Sequence, residues 1–287
     1  MSEMRKRFRE RLSHGPITVA PGTGDALGAR LIQAAGFEAV YMSGFAVEGT
    51  YGKPDVGFLG MSEVVSRAAQ LVDAVTRPVV VDSDTGYGNA VNVVRTVREF
   101  ERAGVAGLQL EDQALPKKCG SMAGKRLVSV KEMVGKIHAA LDTRQDPDLL
   151  IIARTDAAAI DGVAAAIRRA TAYAEAGADL LMVLGPYSRA DVNTLAKELP
   201  GPWIYLNSES QTMPIIPVSE LDALGVRMVV FPIALLLTAA RAMEATLREI
   251  RERGTTMGIL DRMAGFDEFN TLVGLPEVTQ WEAKYGE

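Results

Sequence analysis

Residues 78–112 read PVVVDSDTGYGNAVNVVRTVREFERAGVAGLQLED. The run Pro78 to Asp82 is apolar until its last residue. A glycine-containing turn follows, and Val91 to Ala103 then takes up a helical spacing of apolar side chains. Ala103-Gly104 closes that helix, as a glycine C-cap does, and a second apolar run begins at Gly107 and ends at Glu111. Strands that are apolar along their whole length are those covered on both faces, as parallel strands are. The stretch is therefore one strand–helix–strand unit with acids at both strand ends.

The same grammar repeats outward in both directions. Further runs are Ile17 to Ala20, Ala39 to Met42, Leu149 to Arg154, Leu180 to Leu184, Trp203 to Asn207 and Met228 to Phe231. Helical patterns lie between them at Asp25 to Ala35, Ser62 to Thr76, Ser129 to Leu141 and Gly162 to Ala176. Junctions such as AAGFEAV, EAGADLL and ALGVRMV restate the Ala-Gly signal of RAGVAGL. Eight such units favour a closed (β/α)₈ barrel over an open doubly wound sheet. The open sheet calls for G-x-G-x-x-G after its first strand, and PGTGDALGAR misses that spacing by one residue. We expect one barrel domain over residues 1–287, with an amphipathic N-terminal helix and a helical tail from about residue 235. That tail, a long helix over Leu235 to Gly254 and two short helical stretches, exceeds what closes a barrel. It predicts packing against another subunit.

With 287 residues, 48% hydrophobic and 23% charged, the chain can bury a large core without staples. A net charge of -5 with no basic block gives no reason to bind nucleic acid. One cysteine excludes an internal disulfide and fits the cytoplasm. The charged N-terminus is unlike a signal peptide, and the apolar run Met228 to Ala240, broken by Pro232, is too short to span a bilayer. His14 and His138 fall on helices away from strand ends. No Ser-His-Asp set, phosphate loop or zinc spacing is present.

Barrel chemistry collects at the C-terminal strand ends. There the chain offers Ser43 and Gly44, Asp82 and Asp84, Glu111 and Asp112, Arg154 and Asp156, and Asn207, Ser208 and Glu209. Asp82, Asp84 and Glu111 on adjacent strands would repel one another without a cation between them, and few oxygen ligands with room for water suit Mg²⁺. The alternative is a set of helix caps and loop acids. After the fourth strand, QALPKKCGSMAGKRLVS is long for a connection and is read as a lid. Its Lys117, Lys118 and Lys125 would stabilise a thiolate at Cys119; the alternative is a solvated basic loop.

YMSGF, VDSDTGYG, LEDQ, KKCG with a following GK, ARTDA and LNSE, in this order, resemble the isocitrate lyase/phosphoenolpyruvate mutase superfamily from about Ala20 onward. The resemblance implies a Mg²⁺-dependent barrel whose eighth helix is swapped between subunits, in a homotetramer built as a dimer of swapped dimers. It implies a metal shell of Asp82, Asp84 and Glu111, partly through water. Ser43, Gly44 and Phe45 would hold the substrate carboxylate, with Tyr41, Asp55, Gly120 and Asn207 as further substrate contacts. Lys117 and Cys119 would be the gating-loop pair, and Arg154 would meet the substrate oxygen.

The Lys-x-Cys-Gly form resembles the carbon–carbon lyases of the family. It implies cleavage of a small 2-hydroxy dicarboxylate, a substituted malate or methylisocitrate-like acid, to a keto acid and a carboxylate, with the enolate protonated by Cys119. Tyr41 is a candidate base. Ser121 stands where methylisocitrate lyases usually have His, Leu184 and Gly185 where they have Glu, and Gln109 where His is common, so a dicarboxylate is favoured over a tricarboxylate. The alternative chemistry is phosphorus–carbon rearrangement, as in carboxyphosphonoenolpyruvate phosphonomutase; a barrel that has lost catalysis is a third reading.

Overall fold

The computed structural model describes residues 1–185, 188–210 and 212–286. After helix α1 (Ser2–His14) come β1 (Thr18–Thr23), α2 (Ala26–Ala34), β2 (Val40–Met42), α3 (Gly44–Thr50), α4 (Met61–Ala74), β3 (Val79–Asp82) and α5 (Ala90–Ala103). Then follow β4 (Gly107–Glu111), α6 (Val130–Thr143), β5 (Leu150–Thr155), α7 (Ala158–Asp161), α8 (Val163–Glu175), β6 (Leu180–Val183) and α9 (Arg189–Glu198). The chain ends with β7 (Trp203–Leu206), α10 (Val218–Ala223), β8 (Met228–Phe231), α11 (Ala234–Arg253), a 3₁₀ turn (Met257–Arg262), α12 (Phe266–Leu272) and α13 (Leu275–Tyr285).

The eight strands are parallel and close in sequence order, β8 pairing with β1 through Thr18↔Met228 to Pro21↔Phe231. The expected (β/α)₈ barrel is the observed fold. Every residue of β2 to β7 is buried, which is why those runs read as apolar throughout instead of alternating. Parallel pairing in register sets Asp82 beside Gln109 and Glu111 beside Arg154, so the charged strand ends arrive at one rim.

Helix α1 covers the opposite end. Arg5 is buried and donates to the Val105 carbonyl at 2.8 Å and to Asp146 at 3.0 Å. Arg9 reaches Asp179, and Arg227 returns to the Leu12 carbonyl. All of these partners precede strands, so the C-terminal mouth stays open.

The tail adds the 3₁₀ turn to the helices expected there. Helices α11, α12 and α13 bury no residue, although Leu235, Leu237, Met243, Leu247 and Ile250 lie along α11. No described helix is long and apolar enough to cross a membrane.

Candidate active site

Asp82 ends β3, and the loop after it carries Asp84 on a strained path. Asp84 and Tyr87 have positive φ (50° and 59°), costing on the order of 1–2 kcal/mol each. Neighbours hold the loop in place. The Glu111 amide donates to the Asp84 carbonyl at 2.8 Å and Ser83 Oγ to the Gln109 carbonyl at 2.6 Å. Lys136 of α6, nearly fully buried, donates to the Thr85 carbonyl at 3.0 Å. Lys136 was not legible as part of the site, because its spacing is that of any helix-face lysine.

Two buried cations lie among the acids. Arg154 Nη2 is 3.1 Å from Glu111 Oε2, and its Nη1 is 3.6 Å from Asp82 Oδ2. Lys117 Nζ pairs closely with Asp55 and lies 2.6 Å from Asp84 Oδ1. Lys117 is thus shared between the two carboxylates. Burial, opposed by Lys117 and reinforced by Asp82, pushes the Asp84 carboxyl up to about 7. Burial raises Glu111 well above the usual range despite Arg154, and its Oε1 is buried with no partner.

Among the described residues, no three Asp, Glu, His or Cys side chains converge closely enough to hold an ion by themselves. The rim is thus not a preformed cage. It is an acidic rim with an orphaned oxygen on Glu111, and its carboxylates outnumber the cations beside them. One or two carboxylates with water completing the shell is how Mg²⁺ is usually held, so the donor set fits that ion.

A cavity of about 280 Å³ opens beside the rim, lined by Tyr41, Ser43, Phe45, Asp55, Asp82, Cys119, Gly120 and Arg154 among the expected residues. Gly44 lies alongside: a Cβ there would come within 3.4 Å of both Asp82 Oδ2 and Asp84 Oδ1. Ser43 caps α3 through its side chain, and its amide donates to the Thr23 carbonyl at 3.2 Å. The spare first-turn amides are therefore those of Gly44 and Phe45, not that of Ser43.

Three expectations need correction. Asn207 does not line the cavity, because its side chain bonds the amide and carbonyl of Ile216, both at 2.9 Å. Ser208 and Ser210 from the same loop reach the cavity instead. Tyr41 Oη donates to Gln109 Oε1 at 2.8 Å, and burial with Asp82 raises its pKa well above the ordinary value, which favours the phenol over the phenolate that a base would be.

The third correction concerns Cys119. The lysines flanking it turn away: Lys117 to Asp55 and Asp84, Lys125 to Asp156, and Lys118 to the Ala123 carbonyl. Burial and the Asp55 charge push the thiol up to about 11. The lid therefore presents a neutral thiol, not a stabilised thiolate.

The lid is fastened at several points. Its stalk is the Gln113↔Leu127 bridge, the Cys119 amide donates to the Asp55 carbonyl at 3.0 Å, and Ser121 Oγ meets Ser210 Oγ at 2.8 Å. The rest of the cavity wall is apolar: Met122, Leu184, Leu206, Pro232, Ile233 and Leu237. Sequence reasoning flagged only the absence of charge at Leu184. Glu48 was also missed. It is buried and accepts the Val56 and Gly57 amides, shaping the segment that carries Asp55.

Comparison with known proteins agrees with this geometry. Residues 8–251 match the family model for phosphoenolpyruvate phosphomutase. The chain is 45% identical over 280 residues to 2,3-dimethylmalate lyase of Eubacterium barkeri, covering 97% of each chain. It is 40% identical over 277 residues to 2-methylisocitrate lyase of Aeropyrum pernix, covering 96% of this chain and 89% of that one. A crystal structure of 2,3-dimethylmalate lyase, described as a PEP mutase/isocitrate lyase superfamily member, superposes with TM-score 0.92 at 32% identity over 99% of this chain and 95% of that one. Phosphonopyruvate hydrolase in complex with oxalate and Mg²⁺ superposes with TM-score 0.90 at 30% identity over 99% of each chain. The chain belongs to the phosphoenolpyruvate phosphomutase family, within the PEP mutase/isocitrate lyase superfamily.

Proposed function

We propose that this protein is a carbon–carbon lyase that cleaves an alkyl-substituted malate, or a similarly small 2-hydroxy dicarboxylate, to a 2-keto acid and a carboxylate. The observation that carries the reading is the placement of Cys119, on a lid, in the wall of a cavity that Arg154 and, from the acidic rim, Asp82 also line; burial favours the protonated thiol there. Its relatives named as lyases point the same way. The rim residues Asp82, Asp84 and Glu111 would hold Mg²⁺, which when bound polarises the substrate oxygens it contacts.

The chain's own groups supply the rest. The amides of Gly44 and Phe45, with Ser43 Oγ, receive the carboxylate next to the reacting carbon. Arg154 meets the C2 oxygen, where burial works against its charge but Asp156 and Glu111 hold it firmly protonated. The C2 hydroxyl proton passes to solvent and that C–O bond becomes a carbonyl as the C2–C3 bond breaks; the proton that Cys119 later regains from solvent balances the one released. The electron pair moves onto the departing fragment as the enolate of a carboxylic acid. Cys119 gives its proton to that carbon and then regains one. Lys117 stays cationic, because Asp84 and Asp55 outweigh the burial that opposes its charge.

The wall of Leu184, Leu206 and Ile233 offers nothing to a third carboxylate and suits an alkyl substituent. The lone, unpaired Cys119 suits a reducing compartment. The bare apolar stripe of α11 suits a helix exchanged between subunits of a homotetramer.

The test is keto-acid release from a panel of 2- and 3-alkyl malates, methylisocitrate and oxaloacetate, with and without EDTA. Phosphorus NMR of phosphonopyruvate is run alongside. EDTA-sensitive release from the alkyl malates is expected. Rearrangement or hydrolysis of the phosphonate, with the malates untouched, contradicts the proposal.

A further inference from the structure

Lys125, in the cluster behind Arg154, has no part in the chemistry above, and it joins the lid to the barrel. Lys125 and Asp156 are buried, with side chains 2% and 0% exposed. Lys125 Nζ donates to Asp156 Oδ1 at 2.9 Å and also to the Gly120 carbonyl, on the lid beside Cys119. The same carboxylate grips Arg154 from behind, receiving Nε on Oδ2 at 3.0 Å and Nη2 on Oδ1 at 3.2 Å. Asp156 is itself fixed, because its amide donates to Asp112 Oδ1 at 3.1 Å.

The lid also touches the arginine directly. A Cβ on Gly120 would lie 2.8 Å from Arg154 Nη2 and would run into Leu184. One ammonium thus holds the lid carbonyl next to the proton donor and the carboxylate that orients the oxygen-binding cation.

We propose that Lys125 is a positioning residue that couples lid closure to the orientation of Arg154 through Asp156. It touches no reacting atom. Three of its features have no purpose in a solvated lid: full burial, a carboxylate partner on the barrel, and a backbone partner five residues back on the lid. Burying an ammonium is costly unless it is paired and hydrogen-bonded, and here both partners belong to the machinery. When the lid lifts, the Gly120 carbonyl leaves and Asp156 loses its lid contact. Arg154 then keeps its hydrogen bonds but not their fixed direction. The inference rests on the lyase reading for its kinetic arm only.

The test compares wild type with Lys125→Met, Lys125→Gln and Lys125→Arg. The first readout needs no substrate: the rate at which iodoacetamide alkylates the single cysteine at pH 8.5. Lys125→Met is expected to alkylate at least about tenfold faster, as the carbonyl beside Cys119 loses its anchor. Lys125→Arg, which can still donate to both oxygens, should stay within about threefold of wild type. Lys125→Gln keeps one donor without charge and should fall between them, and it serves in place of Lys125→Met if that variant does not fold.

The second readout is keto-acid release. Lys125→Met should lower kcat by about 10²-fold with KM changed by less than about threefold, since misorientation of positioned groups costs that order. Equal alkylation rates in all variants overturn the proposal even if lyase activity is found. Faster alkylation in a protein with no lyase activity on any substrate sinks the lyase reading and leaves the lid anchor standing.

Discussion

A thiol with its pKa pushed up to about 11 holds its proton across the physiological range. At pH 8 its thiolate fraction is about 100-fold below that of an ordinary cysteine, and alkylation depends on the thiolate. We therefore expect iodoacetamide to modify Cys119 about 100-fold more slowly than it modifies a free cysteine peptide at pH 8; an ordinary rate would contradict the buried, acid-facing placement. The sign for stability follows. The folded state binds this proton more tightly than the unfolded chain, so the contribution is complete below about pH 9 and is lost as pH rises towards about 11. Thermal melts of wild type and Cys119→Ser should differ in slope against pH only in that window. At the rim, Glu111 Oε1 is a buried acceptor without a hydrogen-bond partner, and Asp84 Oδ1 has only Lys117 beside it. Mg²⁺ at about 100 times its Kd should add about 2.7 kcal/mol of stability, and Glu111→Gln should remove most of that gain in a calorimetric melt. A melt unchanged by Mg²⁺ would leave the acids a purely structural role.

At the scale of elements, strands β4 and β5 and helix α8 meet on Asp112. Its carboxylate accepts Thr155 Oγ1 at 2.7 Å, Tyr173 Oη at 2.8 Å, Arg169 Nη1 at 3.1 Å and the Asp156 amide at 3.1 Å. Asp112→Ala strands several of these donors and should cost about 3 kcal/mol in urea unfolding; a loss below about 1 kcal/mol would show that water replaces the carboxylate. This network also marks where the sequence stops being legible. Asp82, Glu111 and Arg154 could be found because each lies at the end of an apolar run, with Asp84 two residues beyond, and strand order alone carries them to one rim. Asp112 and Asp156 sit one and two residues past those ends, and whether they face the cavity or the helices depends on how the chain bends there. Lys125 reads as one of several basic lid residues until the lid folds over and brings it to Asp156, 31 positions away. Asn207 went wrong for the same reason: its loop returns, and Ile216 claims both ends of the amide.

For the whole molecule, the barrel was readable from repeated periodicity, whereas the tail could be read only as a surplus. Helices α11 to α13 carry exposed Leu247, Phe266, Leu275 and Trp281 and bury none of their residues. Sedimentation of the full chain should give a homotetramer, and truncation after Gly254 should shift it to smaller species; a monomer at micromolar concentration would contradict the exchanged-helix arrangement. The account as a whole turns on whether the lid thiol delivers the proton. Single-turnover keto-acid release from the best alkyl malate, for wild type and for Cys119→Ser with an unchanged melting temperature, asks this directly. A loss of at least about 10²-fold in the chemical step is the expected result for removing a general acid. Release at the wild-type rate would mean that the proton comes from elsewhere and that the lid only covers the site.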